Sequence, residues 1–395
     1  MTNPRSQSWL RECGERVSAM EHDLLRRAVK TLEDNILTAA QPLPWHPYRG
    51  IIPSPSTYRG IWNWDSAFHA VTVSRWDPGL AREQISIILD RQLPSGALPD
   101  VIFEDGNVVS NFGKPPVMPW ACTIVDRRDA DDAFLAAGYE RFVPYEAHWR
   151  RNRGGGEDGL FHYDSEAPDA HQRAEDAKLE SGWDDSVRWD NGCRELWPID
   201  LNCFMVMLYR AMAYMAERVS RPDDRAEWLR RADRLAVEIN DRLFESRTGA
   251  YVDRNRGTGR FTGVLTPASF MPLYVGIASK ERAKRMASVA ADPNRFFPGM
   301  PIVSYDNPAY SRTFWRGPTW LNTAYFALKG LKLYGYHETA DACRQTILEW
   351  CARTTDAIHE YYDSRTGDPL GAKQFSWSAA FIIEFILNWN NQSDV

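Results

Sequence analysis

The sequence predicts an all-α protein, a single toroid of helical hairpins with long loops gathered at one end. Three observations carry that prediction. About a dozen segments place apolar residues at helical spacing. No β-rich block and no alternation of strands with helices interrupts them. Paired helical segments recur roughly every 30–45 residues, as in helical repeat architectures. No composition break divides the chain, so residues 1–395 are read as one domain.

The elements follow in order. Residues 20–37 form an amphipathic helix, with Leu24, Ala28, Leu32 and Ile36 on one face and Leu25 and Val29 widening it. Residues 42–58 are dense in proline and aromatics, which forbids helix and fixes an extended course. That loop leads into Trp62-Asn63-Trp64-Asp65, where a helix begins. Asp65 near its first turn reads either as an N-cap or, beside two tryptophans, as an acceptor for sugar hydroxyls. Helical pattern covers 78–93, 117–127 and 131–150, with a Gly/Pro-rich loop at 93–116. Residues 152–191 are the longest polar segment, opening on Gly154-Gly155-Gly156. They are expected to be a structureless, functional and partly mobile rim. Helices are expected at 199–216, 223–244, 268–277 and 280–291, with a small hairpin over 247–259. After a Pro-rich loop at 292–310, helices cover 319–334 and 338–354. Residues 359–367 read as a loop with a turn, and 375–388 as the last helix.

Composition excludes several functions. The net charge is −6, and basic pairs are isolated, so nothing attracts a nucleic acid. The first residues lack the apolar core of a signal peptide, and no apolar run is long enough to span a membrane. The six cysteines form no C-x-x-C pair and read as reduced thiols of a cytoplasmic protein. The eight histidines are scattered, so neither a metal nor another cofactor has support from spacing. Homo-oligomerisation is left open. Sixteen tryptophans are the unusual feature, many beside Asp, Arg or Gly rather than inside apolar runs. Such aromatics suit sugar rings, which have apolar faces and hydroxylated edges.

The chain is organised around Glu180-Ser181-Gly182-Trp183-Asp184-Asp185-Ser186, three carboxylates around a Gly-Trp corner. A tryptophan wall raises the pKa of a neighbouring acid, as a general acid requires. The other long loops carry similar ingredients where they meet helices: Tyr58, Trp62, Trp64 and Asp65; Lys114 before Pro115-Pro116; Trp315, Arg316 and Trp320; Glu360, Tyr361, Gln374 and Trp377. There is no nucleophile elbow, phosphate loop or dinucleotide fingerprint. Two carboxylates among aromatics fit glycoside hydrolysis, in which one protonates the leaving oxygen and the other activates water or attacks carbon.

At these residues the chain resembles a known group. ESGWDDS, FWRGPTW and HEYYDSRTG…GAKQFSWSAA resemble motifs of glycoside hydrolase family 63 and the related trehalases. PSPSTYRGIWNWDSAFHA is similar to the bacterial mannosylglycerate and glucosylglycerate hydrolases of that family. The resemblance spans residues 53–381. It implies an (α/α)6 barrel and an inverting exo-α-glycosidase acting on a small α-glycoside, glucosylglycerate or mannosylglycerate first. It implies Asp184 as general acid, Glu360 as general base, and Trp64, Asp65, Trp320 and their neighbours as holders of the non-reducing sugar. One departure stands out: Gly113-Lys114 precedes Pro115-Pro116 where Gln or Ser-Gln is expected.

Alternatives remain beside these readings. The substrate could be another short α-glucoside. A sugar isomerase on the same toroid would need histidine pairs, and a non-catalytic sugar binder would not need two such carboxylates. Asp185 competes with Asp184 as the acid. Arg316 is either a structural clamp or a substrate contact, and Asp200 and Asn202 either cap a helix or reach the pocket. His69, His359, Trp197 and Trp350 read as packing residues, and Asp363 as a turn former.

Overall fold

Two kinds of helix alternate along the chain, and they differ in how many of their faces are apolar. The computed structural model describes residues 3–39, 41–155 and 159–391. Among these, the helices are α1 (Pro4–Gly14), α2 (Ala19–Asp34), α3 (Asn63–Val73), α4 (Pro78–Leu89), α5 (Met118–Arg128), α6 (Asp132–Asn152), α7 (Ala170–Ser181), α8 (Ile199–Arg218), α9 (Pro222–Leu243), α10 (Met271–Tyr274), α11 (Lys280–Ala290), α12 (Leu321–Leu333), α13 (His337–Arg353) and α14 (Ser376–Leu387). Helix α9 buries a single stripe, Trp228, Ala232, Leu235, Ile239 and Leu243. Helix α3 buries every residue, and α14 every residue but its last. A helix apolar on all sides belongs inside, and one with a single stripe belongs outside.

The packing follows that division. Helix α3 packs on α5, α5 on α8, α8 on α10, α10 on α12, α12 on α14, and α14 returns to α3, so the inner helices close a ring. Around them, α4 covers α3, α6 covers α5 and α8, α9 covers α8, α13 covers α12, and α2 covers α14. The fold is mostly helical, a toroid. The two ends of the chain meet in it: Arg27 on α2 donates to the Cys351 carbonyl at 3.0 Å, and Asn35 Nδ2 donates to the Gln374 carbonyl at 2.8 Å. Between α3 and α14, the His69 ring meets Ser376 Oγ at 2.6 Å. Among the described residues no helix is long and apolar enough to cross a membrane. All six cysteines are buried free thiols.

Strands are few and short. Gly60–Trp62, Val101–Phe103 and Val108–Val109 form one antiparallel sheet at the entrance to α3. His359–Tyr362 pairs antiparallel with Pro369–Lys373. The segment 359–367, expected to be a loop, is therefore a strand plus a turn, and Asp363 shapes that turn by accepting from the Arg365 and Thr366 backbone N–H groups. The hairpin expected over 247–259 is divided. Phe244–Glu245 pairs with Ala250–Tyr251, whereas Arg254–Asn255 pairs with Leu196–Trp197.

The largest correction concerns residues 152–191. They contain α7 and are tied down by buried charge, not left structureless. Arg153 Nε and Nη2 grip Glu180 at 2.9 and 3.0 Å, with both side chains 2% exposed. Glu180 also accepts from the Asp164 backbone N–H at 2.9 Å, and Asp169 caps α7 at Gln172 N. Ion pairs and caps order this segment, and they leave no hydrophobic period in the sequence. Residues 156–158, including Gly156, lie outside the described residues. Helix α1 was not anticipated either.

Candidate active site

The loops entering the inner helices carry the site. Trp62, Trp64 and Asp65 stand at the start of α3, Lys114 precedes α5, Trp315 and Trp320 precede α12, and Trp377 opens α14. These helix starts meet at one cavity, so α3, α12 and α14 run in the same sense through the ring. The cavity measures about 410 Å³ including the space open to solvent, and is lined also by Tyr58, Gly182, Asp184, Phe314, Glu360 and Phe375. A cavity with aromatic walls and a few convergent polar groups is how a small ligand is usually held.

Glu360 is fixed from three directions. It lies on the His359–Tyr362 strand, and its own carbonyl accepts from Ser378 Oγ on α14 at 2.9 Å. Its Oε2 accepts from the Ala372 backbone N–H at 2.9 Å, and its Oε1 from the Tyr58 hydroxyl at 3.3 Å. Desolvation pushes its pKa up to about 7, against the pull of those two donors, and the Asp184 charge adds to the rise. Asp184 follows α7, with one edge open to the cavity and protein around the rest. Desolvation raises its pKa, Lys114 lowers it and Asp185 raises it. Among the described residues no hydrogen bond joins Asp184 to Glu360, so they are not a pair sharing one proton. Asp65 is 3% exposed, and burial drives its pKa up to about 8 against the nearby Lys114. Its first-turn position in α3 is not the N-cap, which is Trp62. Lys114 pairs with Asp100 at 3.2 Å and donates to the Leu179 carbonyl near the end of α7, so its ammonium sits among Asp65, Asp100 and Asp184. Among the described residues no group of three or more His, Cys, Asp or Glu side chains is placed to hold a metal ion.

The family model of the mannosylglycerate hydrolase MGH1-like glycoside hydrolase domain matches residues 58–378. The chain belongs to this family. It is a glycoside hydrolase. A mannosylglycerate hydrolase of Rubrobacter radiotolerans is 26% identical, over 85% of this chain and 92% of that protein. A glucosylglycerate hydrolase of Mycolicibacterium hassiacum is 23% identical, over 84% of this chain and 93% of that protein. The crystal structure of the GH63 mannosylglycerate hydrolase from Thermus thermophilus with Tris and D-glycerate superposes with a TM-score of 0.77 at 21% identity, covering 91% of this chain and 99% of that one. That likeness is one of fold.

Within this hydrolase, ten of the residues singled out in the sequence line the cavity: Tyr58, Trp62, Trp64, Asp65, Lys114, Asp184, Trp315, Trp320, Glu360 and Trp377. Four do not. Trp183 is buried behind Trp315, and Tyr361 stacks on the outer side of Trp320. Arg316 is a clamp: both its Nη atoms bind Asp190, at 2.8 and 2.9 Å, and Nη1 also donates to the Asp185 carbonyl. Gln374 is exposed, at φ 52°, and it offers its backbone carbonyl to Asn35. Of the three acids in the organising motif only Asp184 lines the cavity. Glu180 belongs to Arg153, and Asp185 Oδ1 accepts from the Trp315 backbone N–H at 3.0 Å. Asp200 binds Arg188, and Asn202 pairs with the Phe161 backbone, so neither reaches the pocket. Sequence reasoning missed Asp100, Phe314, Phe375 and Gly182 as site residues. The last three stand inside the motifs that drew attention, whereas Asp100 carries no local signal.

Gly182 is where the backbone must be glycine. It ends α7 at φ 72°, and a Cβ there would meet the Trp64 ring at 2.5 Å. The left-handed geometry and the clash each oppose any side chain. Gly182→Ala is expected to cost on the order of 2–4 kcal/mol and to lower kcat, because the ring and the acid's loop must separate. Thermal denaturation together with kcat checks this. An unchanged melting temperature with full activity would show that the corner tolerates a side chain.

Proposed function

We propose that the hydrolase cleaves a small α-glycoside with inversion, using Asp184 as general acid and Glu360 as general base. The observation that carries this is two separate carboxylates facing one aromatic cavity, with Glu360 held by two donors. Those donors favour an ionised carboxylate, the state a base needs. In this scheme Asp184 gives its proton to the glycosidic oxygen as the bond to the anomeric carbon breaks. Glu360 takes a proton from the water that attacks the opposite face. Acid, base and water balance the reaction, so no cofactor is needed.

Trp64, Trp320 and Trp377 would form the walls for the sugar, with Asp65 accepting hydroxyl hydrogen bonds beside Lys114. The cavity's size favours a single sugar with a small aglycone over a polymer. The names of the relatives point to glucosylglycerate or mannosylglycerate as substrate, and to exo action on the one sugar. We read the ring of inner helices with its outer cover as an (α/α)6 barrel forming one catalytic domain, and place the protein, with its free thiols, in the cytoplasm. The isomerase alternative would need a histidine pair, and among the described residues no histidine lines the cavity.

A substrate panel containing both glycosylglycerates and short α-glucosides tests the substrate. Release of glycerate from one of the first two is the expected result, and turnover of a disaccharide alone would favour the other reading. Proton NMR of the first-formed sugar tests the stereochemistry. The β-anomer is expected before mutarotation, and an α-anomer would make Glu360 a nucleophile instead of a base.

A further inference from the structure

The two proposed catalytic carboxylates stand next in sequence to the two ends of one column of stacked planar side chains. Trp183, just before Asp184, stacks on Trp315 with centroids 5.7 Å and planes 26° apart. Trp315 lies on Trp320 at 3.8 Å and 6°, and Trp320 on Tyr361 at 4.5 Å and 28°. Tyr361 directly follows Glu360. Behind Trp183 the column ends on a fixed base. The Arg188 guanidinium lies 4.6 Å from the Trp183 ring and 4.4 Å from Trp189. It is fully buried and grips Asp200 at 2.6 and 2.8 Å and Asp253 at 2.8 and 2.9 Å.

A second set of contacts runs alongside the stack. The segment holding Trp315 and Trp320 is tied to the acid's loop through Trp315 N to Asp185 Oδ1 at 3.0 Å and Arg316 to the Asp185 carbonyl at 2.9 Å. At its other end, Thr319 and Tyr362 exchange backbone hydrogen bonds of 2.7 and 3.1 Å, joining it to the strand of Glu360. Side chains and backbone thus connect the two carboxylates through the same short piece of chain. Stacked rings resist compression, because interiors pack at crystal density and contact distances are set by van der Waals radii.

We propose that the column Arg188–Trp183–Trp315–Trp320–Tyr361 is a spacer that sets the separation of Asp184 from Glu360. This rests on reading those two residues as acid and base. Trp315 and Trp320 also line the cavity. Trp183 and Tyr361 do not, so they are positioning residues whose substitution tests the spacer without removing a cavity wall. The separation decides whether a water fits between base and anomeric carbon, and thus the rate of an inverting reaction.

The test compares Trp183→Phe and Tyr361→Phe, which keep a ring in the stack, with Trp183→Leu and Tyr361→Leu, which do not. The Leu variants are expected to lose kcat by roughly tenfold or more with KM within about twofold, as misplaced catalytic groups do. The Phe variants should recover most of the loss. In an Asp184→Asn background, assayed on an activated aryl α-glycoside, Trp183→Leu should have almost no further effect, because the group it positions is already gone. A rise in KM at constant kcat, Phe variants as poor as Leu, or a full penalty in the Asp184→Asn background would overturn the spacer. If Trp183→Leu fails to fold, the Tyr361 pair decides by the same kcat and KM criteria. Full activity of Asp184→Asn or Glu360→Gln alone would instead remove the acid–base reading, and the spacer with it.

Discussion

Replacing Glu360 with Gln is expected to abolish turnover on every α-glycoside while raising the melting temperature above pH 7. The loss of activity follows from removing the group that accepts the proton of the attacking water. General base catalysis contributes roughly 10²–10⁴-fold, and no leaving group compensates for a water that is not activated. The gain in stability follows from the same burial. Glu360 is 5% exposed and its pKa stands at about 7 in the folded protein, against 4.5 for an ordinary glutamate. A carboxyl whose pKa is raised by folding binds its proton more tightly in the native state. Glu360's contribution to the parent's stability is therefore fully present below 4.5 and is lost as pH climbs through 7. Above that pH the charged, desolvated carboxylate costs on the order of 3 kcal/mol, which the amide does not incur. The difference in melting temperature should thus be present at pH 8 and fade towards pH 4. The parent enzyme should also lose kcat/KM as pH drops through about 7, since a protonated base accepts nothing. Melting curves that keep a constant offset at all pH values would show that Glu360 is not held in this strained state.

Sequence made some elements legible and hid others for identifiable reasons. Helix α2 was legible because one face is apolar, Leu24, Leu25, Ala28, Val29 and Leu32 being its buried stripe. Helix α14 was legible from sheer apolar content, although it buries all its faces. Helix α7 was not, because its buried residues include Asp176 and Glu180, whose places are set by Ser165 and Arg153 rather than by hydrophobicity. The strand His359–Tyr362 was hidden too, since its partner lies beyond a turn and pairs with a register shift between His359 and Tyr361. At the site, residue type identified the loops but could not sort neighbours. Trp183 and Asp184 are adjacent, yet only Asp184 faces the cavity, a choice made by the left-handed turn at Gly182. Asp100 was invisible because its use depends on Lys114, a contact made only in three dimensions. That pair also accounts locally for the Lys at the position where an amide was expected: the ammonium is paired in place with the Asp100 carboxylate, beside Asp65 and Asp184.

Asp184→Asn is expected to separate substrates by their leaving groups. A glycerate or sugar alcohol leaves poorly as an oxyanion, so its departure needs a proton at the moment the bond breaks. Without the acid, kcat on such a substrate should fall by roughly 10²–10⁴-fold. An activated aryl α-glycoside, whose phenolate leaves unaided, should lose far less, and KM should change little on either. The environment of Asp184 adds a pH signature. Desolvation raises its pKa and so keeps the proton on, while Lys114 works against this and lowers it. The alkaline limb of kcat/KM is where an acid loses its proton. Lys114→Gln removes the cation, so Asp184 should hold its proton to higher pH and that limb should move upward. The limb should disappear in Asp184→Asn, which has no proton to lose. Equal losses on aryl and alkyl glycosides, or an alkaline limb that survives in Asp184→Asn, would transfer the acid's role to another carboxyl. Asp185 is poorly placed to take it, because its Oδ1 is already occupied by the Trp315 backbone N–H and it does not line the cavity. Asp65 does line the cavity, with its pKa at about 8. It sits beside Lys114 at the first turn of α3, where a carboxyl can hold hydroxyls of the bound sugar, and a second substitution there would show whether it also delivers the proton.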